Sequence, residues 1–147
     1  MRLTHSETVA TPIDTVWDHF MDLRRVGRCF PGAEVTDVRG NEFDGTMKAG
    51  IGLITLSFAG HGKLTVANEK NHHAVIRSEG SDKRGLAKAT IDIDLVLTEV
   101  DVSGRAGTRM DLTTDLEVRG LPTRLGERLA QAVSGPLVQQ FLTCMGH

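Results

Sequence analysis

The chain has 147 residues, a length typical of one domain with one hydrophobic core. Its 17 Lys and Arg residues are balanced by 19 Asp and Glu residues, and the formal charge of −2 offers no basic field to phosphate groups, which argues against a nucleic-acid partner. Cys29 and Cys144 lie far apart and outside any metal-ligand spacing, so we expect neither a zinc site nor a disulfide framework. We expect the protein to lie in the reducing cytosol.

Targeting signals are not evident in the sequence. Most of the first seven residues are polar or charged, where a signal peptide needs an apolar stretch, and no window approaches the roughly 20 apolar residues that span a bilayer. We therefore expect a cytoplasmic protein whose membrane contact, if it makes one, is peripheral and on the inner face of the membrane.

The first third of the chain predicts a strand followed by two short helices. The strand runs from Leu3 to Val9, and Thr11-Pro12 then supplies an N-cap and a proline at the first helical position. Asp22 is predicted to cap the second, shorter helix. The apolar stripe of the first helix recurs at steps of three and four residues, at Ile13, Val16, Trp17, Phe20 and Met21.

From Val35 onward the apolar period changes to two, and short segments are separated by turn residues, which predicts an antiparallel meander. The clearest strand runs from Ala87 to Leu97, with one apolar and one polar face. The apolar faces of three strands are predicted to point to the same side, and they carry Ile54, Leu56, Phe58, Leu64 and Val66, then Ile91, Ile93 and Leu95, then Met110, Leu112, Leu116 and Val118.

The last segment is predicted to cover that sheet. A helical pattern opens at Pro122 and carries apolar residues at four-residue steps, but Ser134-Gly135-Pro136 interrupts it, so we expect a kink or break between Val133 and Pro136. The element order predicts a single α+β domain over residues 1–147 with a helix-grip architecture. In this fold a curved antiparallel sheet of six to seven strands wraps around a long C-terminal helix, and two short helices follow strand 1.

Several sequence blocks, in order and spacing, resemble the carbon monoxide dehydrogenase CoxG family of the START-like (SRPBCC) superfamily. They are Thr11-Pro12 with Val16-Trp17, Cys29-Phe30-Pro31-Gly32-Ala33, Phe43-Asp44-Gly45, Phe58-Ala59-Gly60, Gly107-Thr108 and Val118-Arg119-Gly120-Leu121. The resemblance implies an internal cavity for an apolar ligand. It also implies service to a molybdenum-containing hydroxylase through assembly, recruitment or electron hand-off.

No catalytic or metal-binding motif occurs in a suitable context, so we assign neither catalytic residues nor metal ligands, and no intrinsic cofactor. His5 and Glu7 share parity with Leu3 and Val9, which makes them the candidate polar residues of a pocket. The glycines at Gly50, Gly52, Gly60 and Gly62 alternate within apolar strands, where they permit bending of the sheet or leave room for a ligand.

Our leading hypothesis is a protein that binds a quinone, lipid or aromatic metabolite between sheet and last helix. One alternative is an enzyme similar to polyketide cyclases, and another is a docking protein with a filled core; a ligand site requires roughly 300 Å³ or more. The sequence leaves a homodimer open. The predicted ligand-binding residues are Ile54, Leu56, Phe58, Ile91, Ile93, Leu95, Met110, Leu112, Leu129, Val133 and Phe141.

Overall fold

The structure is a computed structural model that describes residues 1–51, 53–132 and 135–147. Seven strands and four helices occur in these ranges. In chain order they are β1 (Arg2–Val9), α1 (Ile13–Met21), α2 (Leu23–Cys29), β2 (Ala33–Arg39), β3 (Glu42–Ile51), β4 (Ile54–Asn68), β5 (His73–Asp82), β6 (Lys88–Val102), β7 (Arg105–Arg119), α3 (Thr123–Ala132) and α4 (Pro136–Gly146).

The seven strands form one open sheet in the order β1-β7-β6-β5-β4-β3-β2, and every neighbouring pair is antiparallel. Strand β1 pairs with β7, so the first strand closes the meander at the edge opposite β2. The helices pack on one face of the sheet, where its apolar side chains are buried. This arrangement confirms the predicted α+β helix-grip architecture.

Helix α1 buries the predicted stripe, with Val16, Trp17 and Phe20 all at 4% exposure or less. Asp22 caps α2 as expected, because its carboxylate accepts the backbone N–H of Arg25 at 3.3 Å. The prediction that Thr11 caps the start of α1 is wrong, because no side chain forms a capping hydrogen bond there.

The Thr11 side chain does not cap α1 but helps to fix the end of α4. Its hydroxyl donates to the carbonyl of Gly146, while the buried Thr108 hydroxyl donates to the Thr11 carbonyl at 2.7 Å. His19 on α1 donates through Nδ1 to the carbonyl of Met145 at 2.8 Å. The last carbonyls of a helix have no partner within the helix, so these side chains satisfy them and anchor α4 beside α1.

The covering segment consists of two helices, as the Ser134-Gly135-Pro136 sequence predicts. Helix α3 ends at Ala132 and α4 begins at Pro136, where proline at the first position needs no backbone N–H. Gly135 has φ of +69°, a left-handed conformation that ends helical geometry. Val133, one end of the predicted break, lies outside the described residues.

The prediction that Val66, near the end of β4, points to the covered face of the sheet is wrong. Leu64 of β4 pairs with Ile76, but Val66 pairs with Val75, so one extra residue lies in β4 at this point. This β-bulge turns Val66 to the outer face, where it is 38% exposed.

The buried apolar side chains fall into two clusters rather than one. The larger lies under α1 and α4, and the smaller lies under α3 at the opposite end of the sheet. The larger cluster includes Phe20, Leu95, Met110, Phe141 and Leu142; the smaller consists of Ala49, Leu56, Phe58, Ala87 and Leu129.

Candidate ligand-binding cavity

An apolar cavity of about 220 Å³ lies between the sheet and the helices. Strands β3 to β7 form its floor, α2 forms one wall, and side chains of α3 and α4 cover it. Phe58 and Leu129 of the smaller core cluster line it, as do Val138 and Phe141 of the larger one. The cavity therefore occupies the space that separates the two clusters.

A row of small residues across the sheet explains why this space is not filled. Gly45 pairs with Gly60, Gly60 with Gly80, and Gly80 with Ala89, on four adjacent strands, and all four residues line the cavity. A Cβ atom on Gly60 would lie 2.0 Å from the carbonyl oxygen of Glu79, so this position excludes any side chain. The floor of the cavity is consequently bare backbone over three strands.

The other glycines singled out in the sequence have different roles. A Cβ atom on Gly62 would lie 2.2 Å from Cζ of Phe43, so Gly62 makes room for an aromatic ring of the protein itself. Gly50 has no neighbour within 4 Å of its Cβ position, and Gly52 lies outside the described residues. Of this set, Gly60 alone is among the described residues that line the cavity.

Helix α2 supplies the wall with Leu23, Val26 and Gly27 and, just beyond its end, Phe30. Gly27 allows α2 to lie directly on β2, because a Cβ atom there would be 2.6 Å from Cγ2 of Val35. The block around Phe30 that resembles the family thus forms part of the cavity.

The polar groups among the described residues of the cavity are few. Ser78 and Thr114 offer hydroxyl groups on the inner face of the sheet. The ionisable residues among the described lining residues are Glu34, His61 and Glu79. Nε2 of His61 lies 3.0 Å from Oε1 of Glu79, and the two side chains are 66% and 64% exposed, so they lie at the margin. A charged ligand group inside would lose its hydration without a charged partner.

The structure brings together six of the predicted ligand-binding residues around this cavity, namely Phe58, Ile91, Ile93, Leu112, Leu129 and Phe141. It places Leu56, Leu95 and Met110 in the packed core beside it, each at 3% exposure or less. Ile54 is 42% exposed at the start of β4, outside the cavity, and Val133 lies outside the described residues.

His5 and Glu7 face the covered side of β1, as their parity with Val9 predicts, but neither is among the residues lining the cavity. Glu7 accepts a hydrogen bond of 2.8 Å from the Thr143 hydroxyl of α4, while Nδ1 of His5 is buried without a hydrogen-bond partner. Strand β1 lies at the sheet edge, and α4 packs over this part of it. The pair therefore does not supply the cavity with an acid and a base.

The expectation that Cys29 and Cys144 remain unpaired is wrong. They form a disulfide between the end of α2 and the end of α4, with Cα atoms 5.4 Å apart. The two residues are 115 positions apart in sequence, so only the packing of the two helices brings them together.

Within the described ranges, the His, Cys, Asp and Glu side chains form no group of three that could hold a metal ion. Nor does any helix in these ranges have the length and apolar character needed to cross a bilayer.

A family model for CoxG, named as a subunit of carbon monoxide dehydrogenase, matches residues 6–147, nearly the whole chain. The chain belongs to the CoxG family. This match confirms the resemblance inferred from the sequence blocks. A search of curated proteins finds no significant match to this CoxG-family chain.

Solved structures share the fold at low sequence identity. A conserved protein from Geobacillus kaustophilus aligns with a TM-score of 0.82 at 17% identity, covering 99% of this chain and 93% of its own. The Zhui aromatase/cyclase from a Streptomyces species aligns with a TM-score of 0.70 at 16% identity, covering 99% and 90%. A protein from Thermus thermophilus aligns at 0.65 and 16% identity, covering 99% and 94%. At these identities, the likeness establishes the fold of the CoxG-family chain.

Proposed function

We propose that this CoxG-family protein binds a neutral, apolar small molecule, such as a quinone, a lipid or an aromatic metabolite, between its sheet and its helices. The observation that carries the proposal is the apolar cavity above the row of Gly45, Gly60, Gly80 and Ala89. Close packing is the rule in protein interiors, and a core that served only stability would fill this space with side chains.

The size of the cavity limits the ligand. The cavity of about 220 Å³ is smaller than the roughly 300 Å³ that we expected of a ligand site, so it can enclose only a small molecule or part of a larger one. A flat bicyclic ring or a segment of an acyl chain fits this space, and a longer tail would extend beyond it. The bare backbone of the glycine row favours a flat face, and the hydroxyls of Ser78 and Thr114 suit a carbonyl or hydroxyl group on the ligand.

We further propose that the protein serves a molybdenum-containing hydroxylase of the carbon monoxide dehydrogenase type, through assembly, recruitment or electron hand-off. Family membership supports this role. We place the protein in the cytoplasm, at or near the inner face of the membrane. In that reducing compartment a disulfide is expected to be transient rather than permanent.

The fold of an aromatase/cyclase also accommodates a reaction, but the described lining residues of the cavity favour binding over catalysis. Cyclisation chemistry needs an acid or a base directed at the substrate. The ionisable lining residues are Glu34, His61 and Glu79, and the last two pair with each other at the exposed margin.

The first test is native mass spectrometry of the protein purified from its own host, followed by organic extraction and identification of any bound molecule. We expect an apolar molecule at a near one-to-one ratio. A clean apo mass, with no uptake of dimethylnaphthoquinone or of a fatty acid supplied in solution, would overturn the ligand-binding proposal and favour a docking protein.

A matched pair of variants then locates the site. Ala89→Leu places a larger side chain in the cavity, whereas Thr90→Leu adds a similar side chain to the opposite face of β6. We expect Ala89→Leu to weaken dimethylnaphthoquinone binding about tenfold or more, a loss of about 1.4 kcal/mol, and Thr90→Leu to leave it unchanged. Equal affinities in the two variants would place the ligand elsewhere.

A further inference from the structure

The Cys29–Cys144 disulfide joins two helices that both contribute to the cavity. Helix α2 contributes Val26 to its wall, and α4 contributes Val138 and Phe141 to its cover. The covalent link therefore holds the wall against the cover.

Near this link, Val26 and Phe30 pack against the core cluster that holds the buried side chains of α4, but the hydrogen bond described between α2 and α4 is long. The Arg25 guanidinium donates to the Cys144 carbonyl at 3.5 Å, the upper limit for a hydrogen bond. Beyond the end of α2, the rings of Phe30 and Phe141 meet with centroids 5.7 Å apart. By contrast, the other side of α2 is closely seated on β2, where Gly27 meets Val35. Loss of the disulfide would consequently loosen α2 from α4 and leave it attached to the sheet.

The two cysteines differ in exposure. Cys29 is buried at 6% exposure, whereas Cys144 lies among the exposed residues of α4. A thiolate in solution can reach the sulfur of Cys144 more easily than that of Cys29, and access is one determinant of the rate of thiol–disulfide exchange.

We propose that this disulfide is a thiol-responsive latch that controls how tightly the cavity holds its ligand, an inference that rests on the proposed binding function. A dithiol reductant attacks Sγ of Cys144, which forms a mixed disulfide and releases Cys29 as a thiolate that takes up a proton. The second thiol of the reductant then displaces Cys144, which leaves as a thiol. The protein gains two electrons and two protons, and the reductant becomes a disulfide.

Reduction frees the wall from the cover and weakens ligand binding. Because binding and reduction are coupled equilibria, the reverse also holds: a bound ligand makes the disulfide harder to reduce by the same factor. Couplings between two sites in one protein are commonly about fivefold or more, and we expect at least that factor.

The test measures the affinity of aminonaphthalene, a fluorescent bicyclic probe that dithiols do not reduce, for the full chain in its oxidised and reduced states. The redox equilibrium is then measured in dithiothreitol buffers with and without the probe. We expect affinity at least about fivefold weaker after reduction, and an equal shift of the redox equilibrium. The double variant Cys29→Ala/Cys144→Ala is the control. Its affinity for the probe should match that of the reduced protein and should not change when the reductant is added.

Amide hydrogen exchange distinguishes a latch, whose release loosens α2 and α4, from a disulfide that only stabilises the whole domain. In the reduced protein we expect a larger loss of protection in residues 23–30 and 136–146 than in strands β4 to β7, whose protection falls only with the overall stability. An equal loss of protection in the two helices and the sheet would overturn the latch, and so would equal probe affinity in both redox states. No probe binding in either state would overturn the proposed function itself and, with it, this inference.

Discussion

Filling the cavity should stabilise the protein. Ala89 lies on β6 at the end of the row of small residues, faces the cavity of about 220 Å³ and is only partly buried. In Ala89→Leu, three additional carbon atoms enter space that no other side chain occupies. Each buried methylene contributes about 0.8 kcal/mol, so the gain from three carbon atoms is at most about 2.4 kcal/mol.

After the rotamer entropy lost by the new side chain, we expect a net stabilisation of about 1–2 kcal/mol. For a domain of this length the corresponding rise in Tm is about 3–6 °C. The same substitution weakens ligand binding, so stability and function change in opposite directions, as is common where a protein maintains a site at the expense of packing.

The control is the same substitution at Ala74 on the neighbouring strand β5. Ala74 also faces the helices, but it is 2% exposed and borders a cavity of only about 10 Å³, room for no more than one water molecule. Ala74→Leu should therefore destabilise the protein by about 1–3 kcal/mol through overpacking. Urea unfolding followed by circular dichroism measures both variants. If Ala89→Leu destabilised the protein as much as Ala74→Leu, the cavity that underlies our reasoning would not exist.

Three further predictions concern stability and titration. Removal of the disulfide in Cys29→Ala/Cys144→Ala should lower the unfolding free energy by about 4 kcal/mol, given the long loop that it closes, and a change below 1 kcal/mol in urea unfolding would contradict this expectation. Asp82→Ala should lower the unfolding free energy by about 1–3 kcal/mol in the same assay. The Asp82 side chain is 1% exposed and accepts hydrogen bonds from two backbone N–H groups, which would lose their partner. An unchanged unfolding midpoint would show that water replaces the lost carboxylate. The hydrogen bond from Arg2 lowers the pKa of Asp115, so this contact stabilises the fold above about pH 4 and loses its effect as the pH falls through the folded-state pKa. Arg2→Ala should raise the pKa of Asp115 in an NMR titration, and an unchanged pKa would refute the pairing.

The fold was accessible from the sequence because its signals are local. The stripe of Val16, Trp17 and Phe20 and the two-residue period of β6 and β7 depend on residues a few positions apart. The break before Pro136 follows equally from the missing N–H of proline. Val66 was misplaced because a β-bulge in β4 shifts parity, and nothing in the local pattern marks it.

The cavity was only partly predictable. Inward-facing residues such as Phe58 and Ile91 follow from strand parity, but parity gives the same signal for Leu95 and Met110, which belong to the packed core. The distinction depends on which residues lie opposite one another on adjacent strands. The sequence indicates Gly60 as a source of space because it alternates within an apolar strand, whereas Gly45 and Gly80 are found only by comparing glycines at matching inward positions of successive strands.

By itself, then, the sequence determined the order of the elements, the buried faces of α1, β6 and β7, and the family, since all of these depend on residue spacing along the chain. Only the tertiary structure decided three features: the register that aligns Gly45, Gly60 and Gly80, the approach of α2 to β2 at Gly27, and the pairing of Cys29 with Cys144. Each of these is a contact between segments distant in the chain. Such contacts are selected by the packing of the whole domain rather than by the preference of any local segment.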